Sequence, residues 1–221
     1  YPARQVGGDL YDFFIHENTL FFAIGDVSGK GIPASLLMAS TISLLRTLSS
    51  GSNSPSQIAY SLNNSIAERN EADMFVTFFI GMLDLRTGVM KYCNAGHTPP
   101  VLTSPDRTVA FFEMQSDLPL GILKNHDYQE YTYRFVSGSG ILLYTDGVTD
   151  AENEKNEFYT RERLLEIVTQ NQELHPREFI RSIINDIQSH IKSHELSDDL
   201  SMLTFIYGSE WNIKKYTGFS S

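Results

Sequence analysis

Cysteine is almost missing from this chain. Its 221 residues include one, Cys93, so no disulfide can form within it. A reducing compartment follows, and the expected location is cytoplasmic, although a longer protein could still be membrane-anchored through segments outside this sequence. Cys93 lies in "YCN", a strand-like run with nothing nearby to activate a thiolate, so it reads as a buried bystander rather than a nucleophile. Basic charge is scarce too. Lys and Arg total 17 against 27 Asp and Glu, a net charge of −10, and the basic residues are scattered, which disfavours a nucleic-acid partner. Long apolar runs are lacking; "MFVTFFIGML" comes closest and is broken by Thr77 and Gly81, so no membrane contact by this domain is expected. There is no signal peptide and no initial Met, as expected of a fragment from a longer protein.

What remains is a chain 41% hydrophobic, long enough to bury about 70% of its unfolded surface as one large domain. "DLYDFFI" and "TLFFAIG" read as a hairpin around His16-Glu17-Asn18. Pro33 opens a helix through "ASLLMASTISLLRTL", and Pro55 opens a second with Ile58, Leu62 and Ile66 on one face. The strands "MFVTFFIGMLDL", "VMKYCNA", "VAFFEM", "YQEYTYRF" and "GILLYTDG" follow. Then come helices over "RERLLEIVTQN" and "PREFIRSIINDIQSHIK", the latter with Ile180, Ile184, Ile187 and Ile191 as its stripe, and a last strand, "LSMLTFIYG". Helices in pairs with hairpin-linked strands between them predict an α+β fold: two mostly antiparallel sheets packed together, each covered outside by a helix pair.

Acids stand beside glycines or in a paired-acid turn at four strand ends: Asp9 in "GGD", Asp26 in "GD", Asp146 in "DG", and Asp198 with Asp199 in "SDD". Any one Asp-Gly is more often a plain turn than a ligand. Four of them beside apolar strands would repel one another and suffer desolvation unless a cation neutralised them. Oxygen ligands, with no His pair and no Cys cluster, point to Mg²⁺ or Mn²⁺ rather than Zn²⁺. Strand alternation allows only one of Asp9 and Asp12, and one of Asp198 and Asp199, to face the site directly. Asp12 is left to a supporting or sheet-capping role. Asp150 joins only if "DGVTD" coils into a turn. A nucleotide loop is excluded at "GDVSGKG": Gly25 and Gly29 have three residues between them, Gly31 rather than Ser or Thr follows Lys30, and Asp26 would face the phosphate.

The runs "VGGDLYDFF", "GDVSGKGIPASLLMA", "NAGHTPPVL", "LPLGI", "LLYTDGVTDAEN" and "DDLSMLTF" resemble, in this order, bacterial SpoIIE-type protein phosphatases of the metal-dependent protein phosphatase 2C superfamily. The resemblance covers residues 2 to about 207. It implies a domain over 1–207 with its first strand truncated, a tail over 208–221 without assigned role, and a four-layer αββα sandwich. The implied chemistry is hydrolysis of phosphoserine or phosphothreonine in a protein, with two Mn²⁺ or Mg²⁺ ions and an optional third. Position by position, Asp26 resembles the acid bridging two metals, and the Val27 backbone carbonyl contributes to one ion. Asp9, Asp146 and Asp198 resemble further ligands, and Asp150 the acid of a third site. Asp199 is the alternative within its pair. Gly25, Gly29 and Gly31 resemble the loop that lets backbone approach.

Where some relatives place a His, two residues after the bridging Asp, this chain has Ser28, so the general acid is unassigned. His97 is a candidate, with a structural histidine as the competing reading. Arg4 is a candidate for the substrate phosphate, with a solvated rim residue as the competing reading. By resemblance the partners are a phosphorylated STAS-type anti-anti-sigma factor and an upstream sensor or regulatory domain, with homodimerisation left open. The competing functional class is a catalytically silent, partner-binding module of the same fold. A cyclase reading of "GGDLYD" is weak, because Leu10 stands where that motif needs an acid.

Overall fold

The computed structural model describes residues 7–51, 54–68, 74–194 and 196–208. The first half of the chain supplies β1 (Leu10–His16), β2 (Thr19–Val27), α1 (Ile32–Ser49), α2 (Pro55–Glu68), β3 (Val76–Asp84) and β4 (Val89–Ala95). The second half supplies β5 (Val101–Thr103), β6 (Val109–Phe111), β7 (Tyr131–Arg134), β8 (Gly140–Tyr144), α3 (Arg161–Asn171), α4 (Pro176–Ile191) and β9 (Met202–Ile206). All strand neighbours pair antiparallel, in a five-stranded sheet ordered β1-β2-β3-β4-β7 and a four-stranded one ordered β6-β5-β8-β9.

Three apolar layers hold the sandwich. The outer face of the five-stranded sheet buries Leu10, Ala23, Phe78 and Ile80 against Ala34 and Leu45 of α1 and Ile58, Leu62 and Ile66 of α2. Between the sheets lie Phe22, Ile24, Phe79, Leu83 and Tyr92, facing Ile141 and Leu143. The far layer joins Leu142 and Tyr144 to α3 and α4. The expected αββα architecture is therefore the observed one. Phe22 fits because its cross-strand partner is Gly81: a Cβ there would lie 2.2 Å from the Phe22 ring. Removing a ring so enclosed would cost about 3–5 kcal/mol.

Three local expectations need correction. The buried stripe of α4 is Phe179, Ile183, Ile187 and Ile191, because an unbroken i, i+4 row starting at Phe179 faces the sheet; Ile180 and Ile184 lie only partly buried beside it. Strand β5 was not anticipated, being three residues long after two prolines. Among the described residues, helix α1, rather than the β3 run, is the segment that meets the length and apolarity expected of a membrane span, with mean hydropathy 1.3. Here it lies against the five-stranded sheet through Ala34, Thr41, Leu45 and Ser49. Apart from Gly208, the expected tail lies outside the described residues.

Candidate metal centre

The antiparallel layering brings four distant strand ends to one end of the sandwich. Asp9 directly precedes β1 and Asp26 is the penultimate residue of β2; both belong to the five-stranded sheet. Asp146 opens a single 3₁₀ turn after β8, and Asp198 lies in the turn before β9, so the other sheet supplies two more. Asp9 and Asp26 are hydrogen-bonded to each other, and Asp26 feels the charges of Asp9, Asp146 and Asp198.

The electrostatics follow from that convergence. Burial is the largest influence on Asp26, followed by the negative charges of Asp9, Asp146 and Asp198, and its carboxyl is pushed up to about 8. Burial also raises Asp9, to about 6; hydrogen bonds from Thr145 and Ser201 oppose the rise, and Asp199 adds to it. Burial and mutual repulsion thus oppose full ionisation of the pair, and the shift belongs to the two carboxyls together. Asp146, the most open of the three, is raised by burial and by Asp150 and Asp198. Repulsion of this kind is what a bound cation relieves.

Several supporting residues were not legible as such. The Thr145 hydroxyl donates to Asp9 Oδ2 at 2.7 Å and accepts the Ser201 N–H at 3.1 Å, fixing Asp9 from the opposite sheet. Asp199 is buried and accepts the Gly8 N–H at 2.7 Å, so it holds the "GGD" loop, as strand alternation from Asp198 requires. Gly8 leaves an oxygen-lined cradle: a Cβ there would lie 3.2 Å from the Val27 carbonyl oxygen and 3.7 Å from Asp26 Oδ1 and the Gly29 carbonyl oxygen. Gly25 is needed for space, since a Cβ would come within 2.6 Å of the Thr77 carbonyl. Gly29 and Gly31 are needed for their left-handed backbone. Asp150 comes near Asp146 because "DGVTD" does coil, with the Asp150 N–H donating to the Asp146 carbonyl at 2.9 Å.

Other candidates fall elsewhere. Asp12 sits under α1, paired with Arg46 at 2.6 and 2.7 Å, away from any ligand role. His97 is buried, with Nδ1 3.0 Å from the Thr77 hydroxyl and Nε2 3.1 Å from the Tyr144 carbonyl. Nε2–H donates to that carbonyl, so Nδ1 accepts, and burial lowers the ring to about 4. A neutral imidazole with both nitrogens engaged cannot protonate a leaving oxygen; His97 ties β3 to β8 instead. Arg4 lies outside the described residues.

The donors fit a hard divalent cation: carboxylate and carbonyl oxygens, with no sulfur or imidazole among them. Among the described residues, no three acidic or imidazole groups already stand as a closed ligand set. Thr145 engages only Oδ2 of Asp9, so that bond can persist, whereas the contact of Asp9 with Asp26 and that of Asp198 with Lys30 must be exchanged on ion binding.

The layered sandwich is that of PP2C-type phosphatase domains. The SiaA-PP2C domain of Pseudomonas aeruginosa superposes with a TM-score of 0.82 at 17% identity, over 93% of this chain and 83% of that one. RsbX in complex with magnesium superposes at 0.68 with 18% identity, over 91% and 87% of the two chains. In sequence, the phosphoserine phosphatase RsbU of Bacillus subtilis is 30% identical over 203 residues, 91% of this chain. The family model of Stage II sporulation protein E (SpoIIE) matches residues 16–206, and the chain belongs to that family. The chain spans 60% of the length of RsbU.

Proposed function

We propose that this domain hydrolyses phosphoserine or phosphothreonine in a protein substrate, using two Mn²⁺ or Mg²⁺ ions bound by Asp9, Asp26, Asp146, Asp198 and the Val27 carbonyl. The observation that carries the reading is the convergence of four carboxylates, two from each sheet, at one end of the sandwich, a charge arrangement suited to divalent ions. The magnesium bound by RsbX and the phosphoserine phosphatase name of RsbU support it. The substrate is a phosphorylated STAS-type anti-anti-sigma factor, and the domain is the output end of a signalling protein with an upstream regulatory segment. The site is cytoplasmic, and Asp150 serves an optional third ion.

When bound, the divalent ions supply Lewis-acid activation of water and neutralise the phosphoryl oxygens. The chain's own residues prepare this. Asp9 and Asp26 must both be ionised to act as ligands, which burial and their mutual repulsion oppose until a cation is present. Thr145 keeps Asp9 Oδ2 aligned from the opposite sheet, and Asp199 pins the Gly8 backbone so that the Val27 carbonyl stays uncovered. No side chain of the cluster is placed as a nucleophile.

The test is turnover of para-nitrophenyl phosphate and of a phosphorylated STAS protein with Mn²⁺. Chelation should abolish it, and Asp146→Asn should lower kcat about 10²–10³-fold, the range for losing a preorganised electrostatic partner. Turnover matching the wild type in the variant, with metal present, would end the proposal.

A further inference from the structure

The acid cluster already contains a cation of the chain's own. Lys30 sits between Gly29 and Gly31, whose φ angles of 95° and 81° carry the loop through left-handed turns. A Cβ on either glycine would meet nothing within 4 Å, so conformation rather than crowding selects glycine on both sides of the lysine. This path takes Lys30 from the end of β2 across to the turn before β9, in the other sheet. Its Nζ lies 3.1 Å from Asp198 Oδ2 and donates to the Ser197 carbonyl at 2.5 Å. Asp9 is held by a neutral hydroxyl and a neighbouring acid; Asp198 is held by an ammonium group.

The two side chains are 42% and 40% exposed. An ion pair this open to water shifts an equilibrium by no more than about fivefold, so it can be exchanged rather than acting as a lock. An ammonium and a divalent ion cannot both take Asp198 at full strength, and each repels the other nearby. Both effects act in one direction.

We propose that Lys30 is a tethered competitor cation: it occupies Asp198 and must release it before a divalent ion can use that carboxylate. Lys30 thus weakens the Asp146–Asp198 side of the centre and leaves the Asp9–Asp26 side unchanged. The inference rests on the reading of this cluster as a divalent-metal centre. The competing role, in which Lys30 orients Asp198 for metal, predicts the opposite sign.

The experiment is Mn²⁺ titration of the 221-residue chain by calorimetry and by the EPR signal of free Mn²⁺, comparing wild type, Lys30→Met and Lys30→Arg. Lys30→Met should bind the same number of ions with the weaker site about two- to fivefold tighter, and Lys30→Arg should resemble the wild type. The gap should narrow as salt is raised. Unchanged or weaker binding in Lys30→Met, while the wild type binds Mn²⁺ normally, removes the role of Lys30 and leaves the centre standing. A wild type that takes up no Mn²⁺ overturns the centre and the inference together.

Discussion

Asp26→Asn should make the metal-free domain more stable while removing its chemistry. Asp26 ionises near its ordinary 3.8 in the unfolded chain but only at about 8 in the fold, where burial and three neighbouring carboxylates oppose its charge. For an acid raised in this way, the stabilising effect is complete below about pH 4 and is lost as pH rises towards 8, because the unfolded chain ionises freely and the folded chain does not. From pH 4 to pH 7 the shift amounts to about 4 kcal/mol at ~1.4 kcal/mol per pH unit. Asp26 is only half-buried, and solvent screening of its neighbours leaves about 2 kcal/mol. Asparagine keeps a donor towards Asp9 and carries no charge. At about 2–4 °C per kcal/mol for a chain of this size, the variant should melt roughly 4–8 °C above wild type at pH 7.5 in chelator. The difference should vanish near pH 4.5. Scanning calorimetry across that range measures it directly, and added Mn²⁺ should reverse the order by stabilising only the wild type. A gap that is absent, inverted or independent of pH would refute the account of the cluster.

Two further substitutions separate geometry from chemistry. Gly8→Ala places a methyl group 3.2 Å from the Val27 carbonyl oxygen; Mn²⁺ affinity should fall about tenfold while the melting point in chelator moves by no more than about 3 °C. Unchanged affinity by titration would show that the cradle is not part of the centre. His97→Gln gives up one of the two ring hydrogen bonds joining β3 to β8 and should cost about 1–3 kcal/mol of stability. The pH–rate profile of the folded fraction should keep its shape, and loss of an ionisation from that profile would restore His97 as a proton donor.

Much of the layered fold could be read from the chain because each layer writes a local pattern. The α2 face of Ile58, Leu62 and Ile66 repeats every four residues, and all three are buried as that spacing requires. The helix also begins where "SPSQ" places a capping box: the Ser54 N–H donates to Gln57 Oε1 at 2.8 Å, and the Gln57 N–H faces Ser54 Oγ at 3.4 Å. The α4 stripe was misread because two interleaved rows of isoleucines satisfy the same period, and only the sheet beneath decides which row is covered. Strand β5 escaped because three residues between a proline pair and a turn carry no alternation to read.

The convergence of the four carboxylates was legible for a different reason. An Asp-Gly pair means little alone, but an acid placed directly at the end of an apolar strand cannot move far from the core, so its position along the chain nearly fixes its position in space. The residues that hold those acids obey no such constraint. Thr145 reaches Asp9 across 136 positions, Asp199 reaches Gly8 across 191, and Lys30 reaches Ser197 across 167; each contact joins one sheet to the other. Nothing within a strand marks these partners, since a threonine before "DG" or a lysine between glycines serves equally well in a solvated turn. Which acids converge is therefore a property of each strand end, whereas charge balance is a property of the two sheets together, which is why substitutions at Thr145 or Lys30 test the assembled cluster more directly than removal of any single acid.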